Sequence, residues 1–92
     1  MNNRLRSTAD MQAFAQRLAD QARLLGDETT HSAIANVLES AATGSEQLGM
    51  LRSALLLCRS SVDERYPEDM RQVLDEAIEE LDAAFRRANW IV

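Results

Sequence analysis

The sequence predicts an all-α fold, a small antiparallel up-down bundle that most simply contains four helices. Apolar residues recur at intervals of three and four in four separate stretches, a spacing that keeps one face of a helix against a core. Ala, Leu, Arg, Glu and Gln dominate, whereas only three Gly and one Pro occur among 92 residues, which favours helix over strand. Short connections make consecutive helices antiparallel. A three-helix core with a partly frayed second helix is the alternative.

The first helix is predicted over residues 8–25, after a flexible N-terminal arm at 1–6. Gly26 is placed to end this helix in the left-handed conformation, and Asp27 to cap the next one. That second helix is predicted over 28–43. The inner faces of the two helices consist of Met11, Phe14, Ala15, Leu18, Ala22 and Leu25, and of Ile34, Val37, Leu38 and Ala41.

The third helix is predicted over 46–61 and the fourth over 67–88, with Pro67 in the first turn of the fourth. The bundle is a single domain at 7–88, and 89–92 form a C-terminal apolar tail. The core stripe of the fourth helix is the most regular in the chain and contains Met70, Val73, Leu74, Ala77, Ile78, Leu81, Ala84, Phe85 and Ala88.

The third helix carries more apolar residues than one core stripe needs. Leu48, Leu51, Leu55, Cys58 and Val62 form that stripe, while Met50, Ala54 and Leu57 form a second one and Leu56 lies outside both. Either this helix is the most buried of the four, or it has a second contact surface. We predict a partner or dimer interface at Met50, Leu56 and Leu57, with Trp90 as an additional anchor, since Trp is enriched at interface hot spots.

The outer face of the fourth helix is acidic. This predicted acidic ridge consists of Asp75, Glu76, Glu79, Glu80 and Asp82. Like charges four residues apart cost roughly 0.2–0.5 kcal/mol per pair in isolated helices, and only Arg86 compensates, four residues after Asp82. The ridge is either a solvated face or a docking strip for a basic protein partner.

The charge balance disfavours two kinds of partner. The net charge is −5 and all ten basic residues are Arg, so nonspecific binding to nucleic acid or to an anionic membrane is not expected. No stretch approaches 18 apolar residues and no apolar leader follows the first arginines, which indicates a cytoplasmic protein. The single cysteine, Cys58, excludes an intramolecular disulfide.

Catalytic, cofactor-binding and metal-binding motifs are absent from the sequence. There is no P-loop, dinucleotide-binding glycine motif, zinc-protease motif or calcium loop. Cys58 lies in an apolar run and is expected to be a small buried residue. His31, the only histidine, is the one candidate for phosphotransfer, although the Lys and Gly that usually follow such a histidine are replaced by Ser32–Ala35.

The sequence therefore predicts a non-catalytic helical protein-interaction module, a small adaptor or regulator that forms a homodimer and needs no cofactor. One alternative is a signalling bundle that is phosphorylated on His31. Another is a helix-turn-helix DNA-binding regulator with its turn at Thr43, Gly44 and Ser45. Its recognition helix would offer only Arg52 and Arg59 to the phosphates.

Overall fold

A computed structural model describes residues 8–40 and 44–91, with side chains described for 9–40 and 46–86. This part of the chain contains four helices: α1 (Thr8–Leu25), α2 (Glu28–Leu38), α3 (Gly44–Cys58) and α4 (Glu68–Ile91). It contains no strand, and the predicted small all-α bundle is confirmed. The arm predicted at 1–6 lies outside the described residues.

The junction between α1 and α2 has the predicted form. Gly26 has a φ of 76° and so adopts the left-handed conformation that glycine reaches without a steric penalty. The backbone N–H of Gly26 donates to the carbonyl of Arg23, and that of Asp27 to the carbonyl of Ala22, which together make a Schellman motif. The Asp27 carboxylate then caps α2 by accepting from the backbone N–H of Thr30 at 3.2 Å.

The prediction that α2 continues to residue 43 is wrong, because the helix ends at Leu38. The N–H of Ser40 donates to the carbonyl of Val37, three residues back instead of four, which tightens the chain into a turn. The Ser40 hydroxyl donates to the same carbonyl at 2.8 Å, a local bond that competes with helix continuation. Ala41, predicted on the inner face, lies outside the described residues.

The bounds of α3 and α4 also differ from those predicted. α3 begins at Gly44 and ends at Cys58, three residues earlier than expected, since the N–H groups of Ser61 and Val62 both donate to the Cys58 carbonyl in a closing turn. α4 begins one residue after Pro67, whose carbonyl accepts the N–H of Arg71. It continues to Ile91, so the backbone of residues 89–91 is helical and does not form a separate tail.

All four helices contribute to one core. Its buried apolar residues are Met11, Phe14, Ala15, Leu18, Ala19, Ala22, Ile34, Val37, Leu51, Ala54, Leu55, Cys58, Val62, Tyr66, Met70, Val73, Leu74, Ala77, Ile78 and Leu81. On α4 this burial ends at Leu81, and Ala84 and Phe85, which belong to the predicted core stripe, are only half-buried. The Ala88 side chain lies outside those described.

Contacts between distant residues show that α1 and α2, and likewise α2 and α3, are antiparallel. A ring nitrogen of His31, near the start of α2, lies 3.2 Å from the carbonyl of Ala19, near the end of α1. Cys58, at the end of α3, lies 4.0 Å through its sulfur from the carbonyl of Thr30 in the first turn of α2. α2 is regular over its 11 residues, so the alternative with a frayed second helix does not hold.

Candidate interaction surface on the third helix

α3 presents one face to the core and another to solvent. Its buried apolar residues follow the helical repeat and are Leu51, Ala54, Leu55 and Cys58. The exposed fractions of Met50, Leu56 and Leu57 are 38%, 39% and 64%. The α3 residues predicted as a partner or dimer interface therefore lie on the solvent side of the single chain. Ala54, which belongs to the same predicted stripe as Met50 and Leu57, is buried.

Between Glu46 and Arg59 the only charged residue of α3 is Arg52, which is half-buried and paired with Asp82 of α4. We call the exposed part of α3 between these positions the outer α3 surface, and it consists of the exposed residues Met50, Ser53, Leu56 and Leu57. In the whole chain 27% of residues are charged and the net charge is −5. An apolar, uncharged surface on such a chain is typical of a contact site and not of a face that only keeps the protein in solution.

The two arginines of this region face α4 and are paired with it. Arg59 lies 3.2 Å from the carboxylate of Asp75, and Arg52 donates to Asp82. Arg52 on α3 and Arg59 directly after it are seven positions apart, as are Asp75 and Asp82 on α4, so the pairs show the antiparallel register of the two helices. All four side chains are about a third or more exposed, so the pairs contribute little to stability but leave α3 nearly neutral.

The same register brings Gly49 beside Phe85. A Cβ placed on Gly49 would lie 3.6 Å from Cζ of Phe85, an ordinary contact, so a small side chain fits here. An open cleft of about 540 Å³ between the helices is lined by Gly49, Arg52, Asp82, Phe85 and Arg86. This cleft lies on the flank of α3 that faces α4, next to the outer α3 surface.

The predicted acidic ridge is not one uniform surface. Asp75 and Asp82 turn towards α3 and pair with its arginines, whereas Glu79 and Glu80 are exposed and Glu76 is half-buried. The sequence predicted that Asp82 pairs with Arg86. In the structure Asp82 pairs with Arg52 across the interface between α3 and α4. The docking of a basic protein on the remaining glutamates stays a prediction.

At the end of the bundle where α2 begins, a buried polar cluster joins two loops. Tyr66 is 2% exposed and Asp27 8% exposed, and the Tyr66 hydroxyl donates to Oδ2 of Asp27 at 2.7 Å. Because Oδ1 of Asp27 accepts from Thr30, both oxygens of this carboxylate have donors. Tyr66 stands in a polar stretch of the sequence, and its burial was not predicted.

The ionisation of this cluster differs from that of free side chains. Burial raises the pKa of Asp27, but hydrogen bonds from Tyr66 and Thr30 and the charge of Arg65 outweigh it and hold that pKa below its ordinary value. Burial and the bond to the Asp27 carboxylate raise the pKa of Tyr66 to about 12. The cluster is therefore a charged acceptor with a neutral phenol as donor, an arrangement that locks loops together.

His31 and Cys58 lie in different environments. His31 is half-buried, with Nδ1 3.2 Å from the carbonyl of Ala19. Cys58 is 0% exposed, and burial raises the pKa of its thiol, which lowers its nucleophilicity at neutral pH.

No group of three or more His, Cys, Asp or Glu side chains in the described part of the chain comes together in a way that could hold a metal ion. No helix found there is long and apolar enough to cross a membrane.

Two large apolar residues outside α3, Leu24 and Trp90, are also relevant to protein contacts. Leu24 on α1 is 81% exposed. It was not predicted as a contact residue, because one leucine beside a regular stripe is not a pattern. Trp90, predicted as an additional anchor, belongs to α4 by its backbone, but its side chain lies outside those described.

Comparison with known proteins found no matching family model, no similar curated protein and no similar solved structure.

Proposed function

We propose that this chain is a non-catalytic protein-interaction module that self-associates through the outer α3 surface. The observation that carries the proposal is the exposure of Met50, Leu56 and Leu57 on a helix whose other face lies in the core. Apolar area removed from water stabilises a complex by about 25 cal/mol per Å² before the costs of association. A second bundle that covers these side chains would provide that gain.

Charge supports a second copy of this chain as the partner. Two molecules of net charge −5 repel each other over most of their surfaces, and the outer α3 surface is a place where they meet without opposing carboxylates. Arg52 and Arg59 are already paired with α4, so they need no acid from a partner. An uncharged patch is also self-complementary, as an isologous dimer requires.

The environment of the reactive residues supports a module without catalysis. A catalytic thiol is usually ionised or close to a base, whereas Cys58 is buried and its pKa is raised. The same free, buried cysteine fits a reducing compartment, and we propose a cytoplasmic location on that ground.

The test compares two leucine variants by sedimentation equilibrium. Leu57→Glu places a charge in the outer α3 surface, and we expect it to weaken self-association by about tenfold or more, which corresponds to about 1.4 kcal/mol. Leu24→Glu is the matched control, because Leu24 is still more exposed than Leu57 but lies on α1. We expect it to associate like the unsubstituted chain.

Circular dichroism would show that both variants remain folded, as expected for substitutions at exposed positions. Equal association of the folded Leu57→Glu variant and the unsubstituted chain would contradict the proposal. Equal weakening by both variants would also contradict it, since a general increase in negative charge would then explain the effect.

A further inference from the structure

We infer that two copies associate with their α3 helices antiparallel, an inference that rests on the self-association proposed above. The exposed residues Met50, Ser53, Leu57 and Ser60 are separated by three, four and three positions. Alternating steps of three and four positions are the spacing of a coiled-coil seam, in which one full period of seven residues covers two turns. Ser60 lies in the turn directly after α3, so the seam extends over the second half of the helix and its end.

Side-chain size distinguishes the two possible orientations. Large and small residues alternate along the seam: Met50, then Ser53, then Leu57, then Ser60. In an antiparallel pair, Leu57 faces Ser53 of the second copy and Met50 faces Ser60, so every layer joins a large side chain to a small one. In a parallel pair each residue faces its own equivalent, which crowds the large residues and leaves gaps between the serines.

The charge of Glu46 and the macrodipole of α3 also favour the antiparallel orientation. Glu46 is exposed in the first turn of α3, and a parallel pair would bring the two Glu46 carboxylates side by side. An antiparallel pair centred near residue 55 separates them by about 27 Å along the helix axis, at ~1.5 Å per residue. The macrodipoles of the two helices then point in opposite directions, which is favourable.

Disulfide formation between single-cysteine substitutions tests the orientation. Variants Ser53→Cys and Leu57→Cys are each oxidised alone and then as a mixture, and the products are separated on a non-reducing gel. The native Cys58 is 0% exposed and does not interfere in the folded chain. We expect a disulfide-linked dimer in the mixture and little in either variant alone.

The expectation follows from the geometry of an antiparallel pair. Ser53 and Leu57 each lie two residues from its centre. The two copies of either residue are therefore offset by about 6 Å along the axis, on helices about 8–10 Å apart. Their separation exceeds the ~7 Å Cα limit for a disulfide. The pair Met50→Cys and Ser60→Cys repeats the test with Leu57 intact, in case Leu57→Cys weakens association. Ser32→Cys, an exposed serine on α2, mixed with Leu57→Cys is the control that should not cross-link.

Each outcome has one meaning when the molar mass is measured in parallel. Cross-linking in the two mixtures alone supports the antiparallel pair. Cross-linking of Ser53→Cys with itself would establish the parallel orientation and overturn the inference while leaving self-association intact. A dimeric mass without these cross-links would overturn it too, because another surface would then form the dimer. A monomeric mass would instead refute the proposed self-association.

Discussion

The hydroxyl of Tyr66 donates a 2.7 Å hydrogen bond to the carboxylate of Asp27, 39 residues earlier in the chain. Asp27 also caps α2, and Tyr66 precedes the first turn of α4. A single carboxylate thus starts one helix and holds the loop that leads into another. This bond fixes the end of the bundle at which α3 terminates, and so supports the helix that carries the outer α3 surface.

We predict that Tyr66→Phe destabilises the fold by about 1–3 kcal/mol, because the buried Asp27 carboxylate loses a donor that water cannot replace. Urea denaturation followed by circular dichroism measures the change. Thr30→Val is the matched hydroxyl deletion. The Thr30 Oγ1 atom is buried and has no hydrogen-bond partner among the described residues, so its loss should leave stability unchanged or raise it. Equal losses in the two variants would contradict this account of the cluster.

Alkaline titration should reveal the same bond. Tyr66 is the only tyrosine, so the phenolate absorbance of the chain reports it alone, and we expect a midpoint at a pH of about 12. Since the folded pKa exceeds the unfolded one, the stabilisation is complete below pH 10 and is lost as the pH rises through about 12. A titration midpoint at the ordinary value of 10.0 in the folded protein would refute the prediction.

At acidic pH, Asp27 should make stability depend on pH in the opposite direction. The folded pKa of Asp27 lies below its ordinary value of 3.8, so its contribution to stability is present above pH 3.8 and is lost as the pH falls through the lower, folded pKa. Urea midpoints measured between pH 7 and pH 2 should therefore fall more steeply in the unsubstituted chain than in Asp27→Asn. Parallel curves for the two proteins would show that Asp27 does not have the depressed pKa described here.

Replacement of Gly26 and of Gly49 by alanine should change the stability of the fold in opposite directions. Gly26→Ala must place a side chain at a φ of 76°, which costs about 1–2 kcal/mol. Gly49 is in a helix, and a Cβ there meets only Phe85 Cζ at 3.6 Å, so Gly49→Ala should stabilise by up to about 1 kcal/mol. Thermal denaturation of the two variants measures both effects. A gain for Gly26→Ala would contradict the assigned turn.

Local signals in the sequence were sufficient for much of the fold. The bounds of α1 and the roles of Gly26 and Asp27 follow from helix periodicity and cap chemistry, which act within a few residues. The end of α2 could not be predicted, because apolar spacing continues to Ala41 and only the bonds formed by Ser40 reveal the turn.

Features that depend on contacts between distant residues could not be predicted from the sequence. Nothing near Tyr66 in the sequence indicates a partner 39 residues away. Likewise, the acidic residues of α4 look alike until the register with α3 assigns Asp75 and Asp82 to Arg59 and Arg52. The exposed side chains of the outer α3 surface were predictable because a helix with more apolar residues than one core face can cover must expose some of them.

Self-association through the outer α3 surface is tested most directly by the molar mass of the unsubstituted chain. Light scattering behind a sizing column, over a hundredfold range of loading concentration, provides it. We expect the mass to rise from 10.3 kDa towards twice that value as concentration increases, and Leu57→Glu to suppress the rise. A constant 10.3 kDa at every concentration would contradict the proposal that this chain is its own partner.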